Sequence, residues 1–328
     1  STEGVSSEVY STPRIKASSS GVFAAWVKDL GSEVIEASYS TDDGETWTNA
    51  VEIEPGNSHY LIYDYDFAIS NDGTVHLVWS SIKDSSDISY NVFYPQSDDF
   101  AATTGDETQN TDDESDTPID ARISLARSNV YVAWEQYDSD GAIYSTVFAK
   151  SSDSGGSFGS PSTLSSTNSV SEIAISSQGN NVVVGWIESN DNSESIIKAR
   201  NSANSGNSFS AENIVGSADG STSSFIEADN DGSSNYYISW MRYGNDQTRK
   251  IECARSANSG SSWNTAVNVD GIDNGDIDEF RASPVIAANS DRVVVFWSET
   301  NTESGSSRDQ EIVYSSSIND GTTWSDYD

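Results

Sequence analysis

At 328 residues the chain is long enough for one large all-β domain or two ordinary ones, with a sizeable core. Its 52 acidic and 16 basic residues give a formal charge of -36, which excludes nucleic acid as a partner because phosphate binding needs a basic face. No apolar run approaches the ~18 residues of a membrane helix, and the single cysteine, Cys253, excludes an intrachain disulfide.

In chain order, Val5 to Tyr10 comes first and belongs to no repeat. Arg14-Ile15-Lys16-Ala17 reads as a first strand, Ser18 to Gly21 as a turn, and Val22-Phe23-Ala24-Ala25-Trp26 as a second strand ending on tryptophan. Val34 to Tyr39 is a third strand. Ser40-Thr41-Asp42-Asp43-Gly44-Glu45-Thr46-Trp47 turns it into a fourth, Ala50-Val51-Glu52-Ile53. The tryptophan strand recurs at Trp79, Trp134, Trp186, Trp240 and Trp297, with gaps of 53, 55, 52, 54 and 57 residues, so the chain is a sixfold repeat. No segment shows sustained helical periodicity.

The Ser40 turn has four further copies, starting at Ser151, Ser202, Ser256 and Ser317. Its Asp or Asn accepts hydrogen bonds from nearby backbone N–H groups, the glycine supplies a positive φ, and the aromatic three residues later folds back as a plug. Three of the five copies carry Asn, so the position needs an acceptor oxygen and not a charge. That argues against a metal or a catalytic carboxylate here. The second repeat lacks the turn and runs through Tyr90 to Tyr94 into an acidic tract, Gly105 to Asp116, read as a solvated or disordered loop without calcium-loop spacing.

Six four-stranded units without helices imply a six-bladed β-propeller of antiparallel blades. The S-x-D-x-G-x-x-W turns, together with the V-x-V-x-W strands before them, resemble the Asp-box (BNR) repeats of the sialidase-like propellers over nearly the whole chain. The repeats fall at about 13–54, 65–105, 118–164, 171–215, 224–269 and 283–328. The sixth ends four residues after its Trp324, so residues 4–11 are expected to close the ring as its outer strand. Pairing with a neighbouring copy is the alternative, since a free sheet edge is a template for strand addition.

Function is expected where the inner strands begin, because loops on a rigid scaffold carry chemistry. The polar residues there are Arg14, Asp66, Asp120 with Arg122, Glu172, Glu227 and Arg281, of which Arg14, Asp66, Arg122, Glu172, Glu227 and Arg281 are the candidate ligand-binding set. The family resemblance implies arginines converging on a sugar carboxylate, a carboxylic acid and a tyrosine–glutamate nucleophile. Arg14-Ile15 matches two positions of the family's Arg-Ile-Pro, with Lys16 in place of the proline. Tyr60, Tyr63 and Tyr65 are read either as sugar-stacking residues or as plugs between blades. His59 and His76, the only histidines, make neither a zinc site nor a serine triad.

These features lead to a secreted or cell-surface, non-catalytic propeller that binds glycan or an extracellular protein, with no cofactor, metal or membrane insertion. A sialidase-like hydrolase of acidic sugars is the alternative. Processing to a mature start at Ser1 fits that location. The acidity reads either as solubility of a secreted protein or as adaptation to high salt.

Overall fold

A computed structural model gives the fold and describes residues 9–29, 33–53, 61–82, 86–93, 116–138, 142–167, 169–190, 194–217, 221–244, 249–271, 280–301 and 309–325. Among them there is no helix, and none is therefore long and apolar enough to cross a membrane. The first sheet holds β1 (Val9–Ser18), β2 (Gly21–Asp29), β3 (Glu33–Ser40) and β4 (Val51–Ile53) in that order. The second holds β5 (Leu61–Ile69), β6 (Val75–Ile82) and β7 (Ser86–Phe93). The third runs from β8 (Asp116–Ala126) through β9 (Asn129–Asp138) and β10 (Ile143–Ser151) to β11 (Ser162–Thr167).

The fourth sheet holds β12 (Val170–Gln178), β13 (Asn181–Ser189), β14 (Ser195–Ser202) and β15 (Asn213–Ser217). The fifth holds β16 (Thr222–Asn230), β17 (Tyr236–Tyr243), β18 (Arg249–Ser256) and β19 (Val267–Asn268). The last described sheet holds β20 (Phe280–Ala288), β21 (Val293–Asn301) and β22 (Asp309–Ser317). All the recorded pairings are antiparallel.

Complete four-stranded blades therefore number four among the described residues, where the repeat count leads one to expect six; the other two sheets show three strands. The C-terminal end of the expected closing strand, residues 9–11, needs correction. Val9, Tyr10 and Ser11 pair with Asp29, Lys28 and Val27, so they extend β1 of the first sheet. Residues 4–8 of that expected strand lie outside the described residues, as does the acidic tract up to its last residue, Asp116, which opens β8.

The chain divides into two compact units, Ser1–Ala142 with Phe148–Ser162, and Ile143–Val147 with Thr163–Asp328. In the first, alternation along the strands sends Phe23, Ala25, Val27, Ile35 and Ala37 to one face of the first sheet, where they pack on Tyr65, Phe67, Val75, Leu77 and Trp79. In the second, Trp240 packs among Ala174, Val183, Ile197 and Val215, and Trp297 among Tyr237, Met241, Ile251 and Cys253. The repeated tryptophan of the second strand, which continues past it, is thus a core residue facing the preceding blade in these packed pairs. Cys253, small and 3% exposed, is one of its neighbours, and burial alone pushes its thiol far up.

The five repeated turns share one hydrogen-bond pattern. The serine hydroxyl donates to Oδ1 of Asp42, Asp153, Asn204, Asn258 or Asn319 at 2.6–2.9 Å and accepts the glycine N–H at 2.8–2.9 Å. The same Oδ1 accepts the N–H of Thr46, Ser157, Ser208, Ser262 or Thr323 at 2.8–3.0 Å. Asp and Asn interchange because that residue's hydroxyl adapts. It donates to the second carboxylate oxygen in the Asp turns and accepts from Nδ2 in the Asn turns.

An acceptor oxygen is therefore what the position requires. The Thr46 and Ser40 bonds hold the Asp42 carboxyl at about 2, and those of Ser151 and Ser157 hold Asp153 at about 2. Left-handed backbone is needed at two successive residues, not one. The residue before the glycine (Asp43, Ser154, Ser205, Ser259, Asp320) has φ between 56 and 59°. In three turns its N–H is directed to the first hairpin of the same blade, Ser154 to Ser128 O, Ser205 to Asn180 O and Ser259 to Ser234 O.

Ser256→Ala should lower stability by roughly 2 kcal/mol in urea denaturation, since it strands the buried Gly260 N–H and one donor to Asn258. Asn258→Asp should leave the midpoint nearly unchanged because the Ser262 hydroxyl can reverse its bond. Equal losses in the two variants would rule out this account.

Candidate functional site

Each first strand carries a bulge at a corresponding place. The register slips between Ser11 and Arg14, Ile62 and Asp64, Ile119 and Arg122, Ser171 and Ile173, Ser224 and Glu227, and Ala282 and Val285. Asp120, Glu172, Phe225 and Ser283 take positive φ of 48 to 60° there. Bulges of this kind re-aim side chains and are enriched beside functional sites. The rung opposite the residue before each tryptophan is occupied by Arg14, Asp66, Arg122, Ala174, Glu227 and Val285. Four of the six candidate residues thus share one structural position. Glu172 lies inside its bulge, and Arg281 pairs with Glu299 ahead of it, its side chain lying outside the described residues.

In the first unit these residues build a compact ion cluster. Arg14 bonds Asp64 at 3.3 Å and approaches Asp66 at 3.9 Å; Lys16 pairs with Asp66 at 3.0 Å. Arg122 bonds both Asp64 and Asp120, the latter at 2.6 Å. Among the described residues three cations meet three carboxylates. Burial raises the Asp64 carboxyl, but the Arg122 and Arg14 guanidinium groups outweigh it and leave the group at about 2. Asp66 is also lowered: burial raises it, and Lys16, Arg14, Arg122 and the Ile123 N–H outweigh that. Two cations lie over aromatic faces, Arg14 over Tyr65 and Lys16 over Phe67, each 5.7 Å from the centroid.

Carboxylates at this level also latch blade to blade. Asp66 Oδ2 accepts the Ile123 N–H at 3.1 Å, and Glu172 Oε2 accepts those of Phe225 and Ile226, the latter at 3.1 Å. Glu172 thereby satisfies backbone donors that the bulge leaves without a ladder partner. Glu227 is half-buried opposite Ser239. Tyr65 is fully buried, and its hydroxyl donates to Ala25 O at 2.6 Å, which makes it a plug between blades. Tyr60 lies outside the described residues, as does His59, and so does the side chain of Tyr63.

Asp64 and Lys16 complete the cluster, although the candidate set omits both. A signal was present in the chain: side chains two apart on a strand share a face, so Arg14 brings Lys16 and Asp66 brings Asp64. The other histidine, His76, lines a separate polar cleft of about 270 Å3 with Ser70, Asp72, Thr74, Arg127 and Asn129. Burial lowers its imidazole to about 4, against the pull of Asp72.

Four-stranded antiparallel blades, each entered by a bulged inner strand, define an all-β propeller. No protein-family model and no curated protein matches the chain. Solved structures do. A Dyadobacter fermentans protein of unknown function aligns with a TM-score of 0.61 at 12% identity, covering 93% of each chain. An ulvan lyase of a new polysaccharide lyase family, solved with a GlcA(1-4)Rha3S saccharide, gives 0.62 at 10% identity over 94% of this chain and 80% of that one. The Trypanosoma rangeli sialidase in complex with sialic acid gives 0.55 at 12% identity over 94% of this chain and 54% of that one. The chain has a sialidase-like β-propeller fold.

Proposed function

We propose that this chain is a secreted or cell-surface, non-catalytic propeller that binds carbohydrate at the bulged ends of its inner strands. One observation carries the non-catalytic part. The arginines that a sialidase would aim at its substrate are here bonded to the chain's own Asp64 and Asp120. Glu172 is bonded to backbone amides, and Tyr65 is sealed in the core. The carbohydrate part is supported by the shared fold, since an ulvan lyase and a sialidase are among the structures similar to it. The turns at Ser40, Ser151, Ser202, Ser256 and Ser317 support Asp-box repeats through their common hydrogen-bond pattern.

A glycan array followed by calorimetric titration should find a saccharide ligand, while a fluorogenic sialoside should not be turned over. Turnover abolished by Arg14→Ala would overturn the proposal in favour of the hydrolase. Ring closure into six blades belongs to the same reading. Among the described residues the sheet of β20, β21 and β22 has three strands, one fewer than the complete blades, which supports a strand still to be added. The expected closing strand, of which residues 4–8 lie outside the described residues, would then supply the missing pairing within the same chain. Deletion of residues 1–8 should lower stability without changing the mass on a sizing column; loss of a dimer would assign the pairing to a neighbouring copy instead.

A further inference from the structure

We propose that Arg14 and Arg122 form a carboxylate seat which the chain fills with its own Asp64, so that the site is closed to anionic ligands and can be opened by removing that one side chain. Two guanidinium groups from different blades converge on a single carboxylate. Arg14 reaches Asp64 Oδ1 at 3.3 Å and Oδ2 at 3.5 Å, and Arg122 Nη1 bonds Oδ2. Each guanidinium offers one nitrogen, so the carboxylate is held by charge-assisted bonds from two sides, as a small external carboxylate could be.

Each arginine is also held in place without Asp64. Arg122 is tethered by Asp120 at 2.6 Å and by its bond to Ala121 O at 3.1 Å; Arg14 lies over the Tyr65 ring and beside Asp66. The two guanidinium groups are therefore positioned by groups that remain when the Asp64 carboxylate is gone. The side chains of Arg14, Arg122 and Asp64 are 22%, 12% and 17% exposed, so the seat is partly open to solvent and within reach of a small solute.

With Asp64 present, the three cations of the cluster are matched by Asp64, Asp66 and Asp120 among the described residues. An external carboxylate would have to displace a tethered one. Effective concentration favours the tethered group, because its translational freedom is already lost. The inference does not depend on the chain binding sugar.

The test uses formate as the probe, read by thermal unfolding against sodium chloride of equal concentration. The wild-type midpoint should be the same in both salts. Asp64→Ala should gain about 5 °C in 0.1 M sodium formate over chloride, saturating with concentration as a bound ligand does. The double variant Asp64→Ala, Arg122→Ala should lose most of that gain. Asp64→Ser, which leaves a hydroxyl for the two guanidinium groups, serves where the alanine variant is too unstable to purify.

Equal gains in wild type and Asp64→Ala would overturn the proposal, as would a folded variant indifferent to formate. Failure of both variants to fold even in formate would also count against it, since the outside carboxylate would then not replace the inside one.

Discussion

Arg122→Ala should cost about 3–5 kcal/mol of stability at neutral pH, because it leaves Asp64 and Asp120 partly buried without their shared cation. The pH dependence separates this cause from simple loss of packing. In the wild type Asp64 ionises at about 2 rather than near 4, so its contribution is fully present above about pH 4 and is lost as pH falls toward 2. The difference amounts to roughly 2 kcal/mol. In the variant the strongest lowering influence on Asp64 is gone while burial still raises it, so the group takes up its proton at a higher pH.

The deficit between variant and wild type should therefore be greatest at pH 6–7 and should narrow by about 2 kcal/mol on going from pH 4 to pH 2. Urea denaturation of both proteins at pH 7, 4 and 2 measures this. A deficit independent of pH would mean that Arg122 acts through its packed stem and not its charge.

What the chain revealed beforehand divides along physical lines. The tryptophan strands were legible because one residue type, fully buried at Trp79, Trp134, Trp186, Trp240 and Trp297, must recur wherever the same gap between sheets recurs. The turns were legible because only a side-chain acceptor followed by glycine fits their backbone. The hydroxyl of Thr46, Ser157, Ser208, Ser262 and Thr323 went unread, although Ser or Thr precedes the aromatic in all five copies. Its role depends on a bond to the far atom of the Asx side chain, which is not a backbone rule.

The strand ends were less legible. Val9 to Ser11 pair with β2 across the Ser11–Arg14 bulge, and a bulge leaves no period-two signal to follow. The candidate site was half legible for the same reason. Arg14, Asp66, Arg122 and Glu227 were found by counting back from tryptophan. The count could not tell that Glu172 would turn within its bulge to the amides of the next blade. Nor could it show that Asp64 would sit between the two arginines, since which blades face each other is a tertiary matter.

Thermal stability should rise steeply with salt, by about 10 °C between 0.05 and 1 M potassium chloride, because self-repulsion in so acidic a chain acts over the Debye length, which shrinks from more than 10 Å to about 3 Å across that range. The distribution of cations sharpens the argument. Arg14, Lys16, Lys28, Arg122, Lys198, Arg200, Arg242 and Arg255 are each within an ion pair, half of all 16 basic residues. Such local pairing leaves a large excess among the 52 acidic residues with no protein cation to offset it.

Partly exposed pairs such as Arg200 with Glu212 weaken as salt is added, but each contributes at most about 1 kcal/mol. The summed repulsion is the larger quantity, and its relief should dominate. Relief of repulsion should level off near 1 M, where screening is complete, and should be equal for sodium and potassium chloride. Strengthened burial of apolar surface would instead continue to grow with concentration and would be greater in sulfate than in chloride at matched ionic strength. A midpoint that is flat or falling up to 1 M would remove the case that the acidic surface is an adaptation to salt, and would leave solubility as its use.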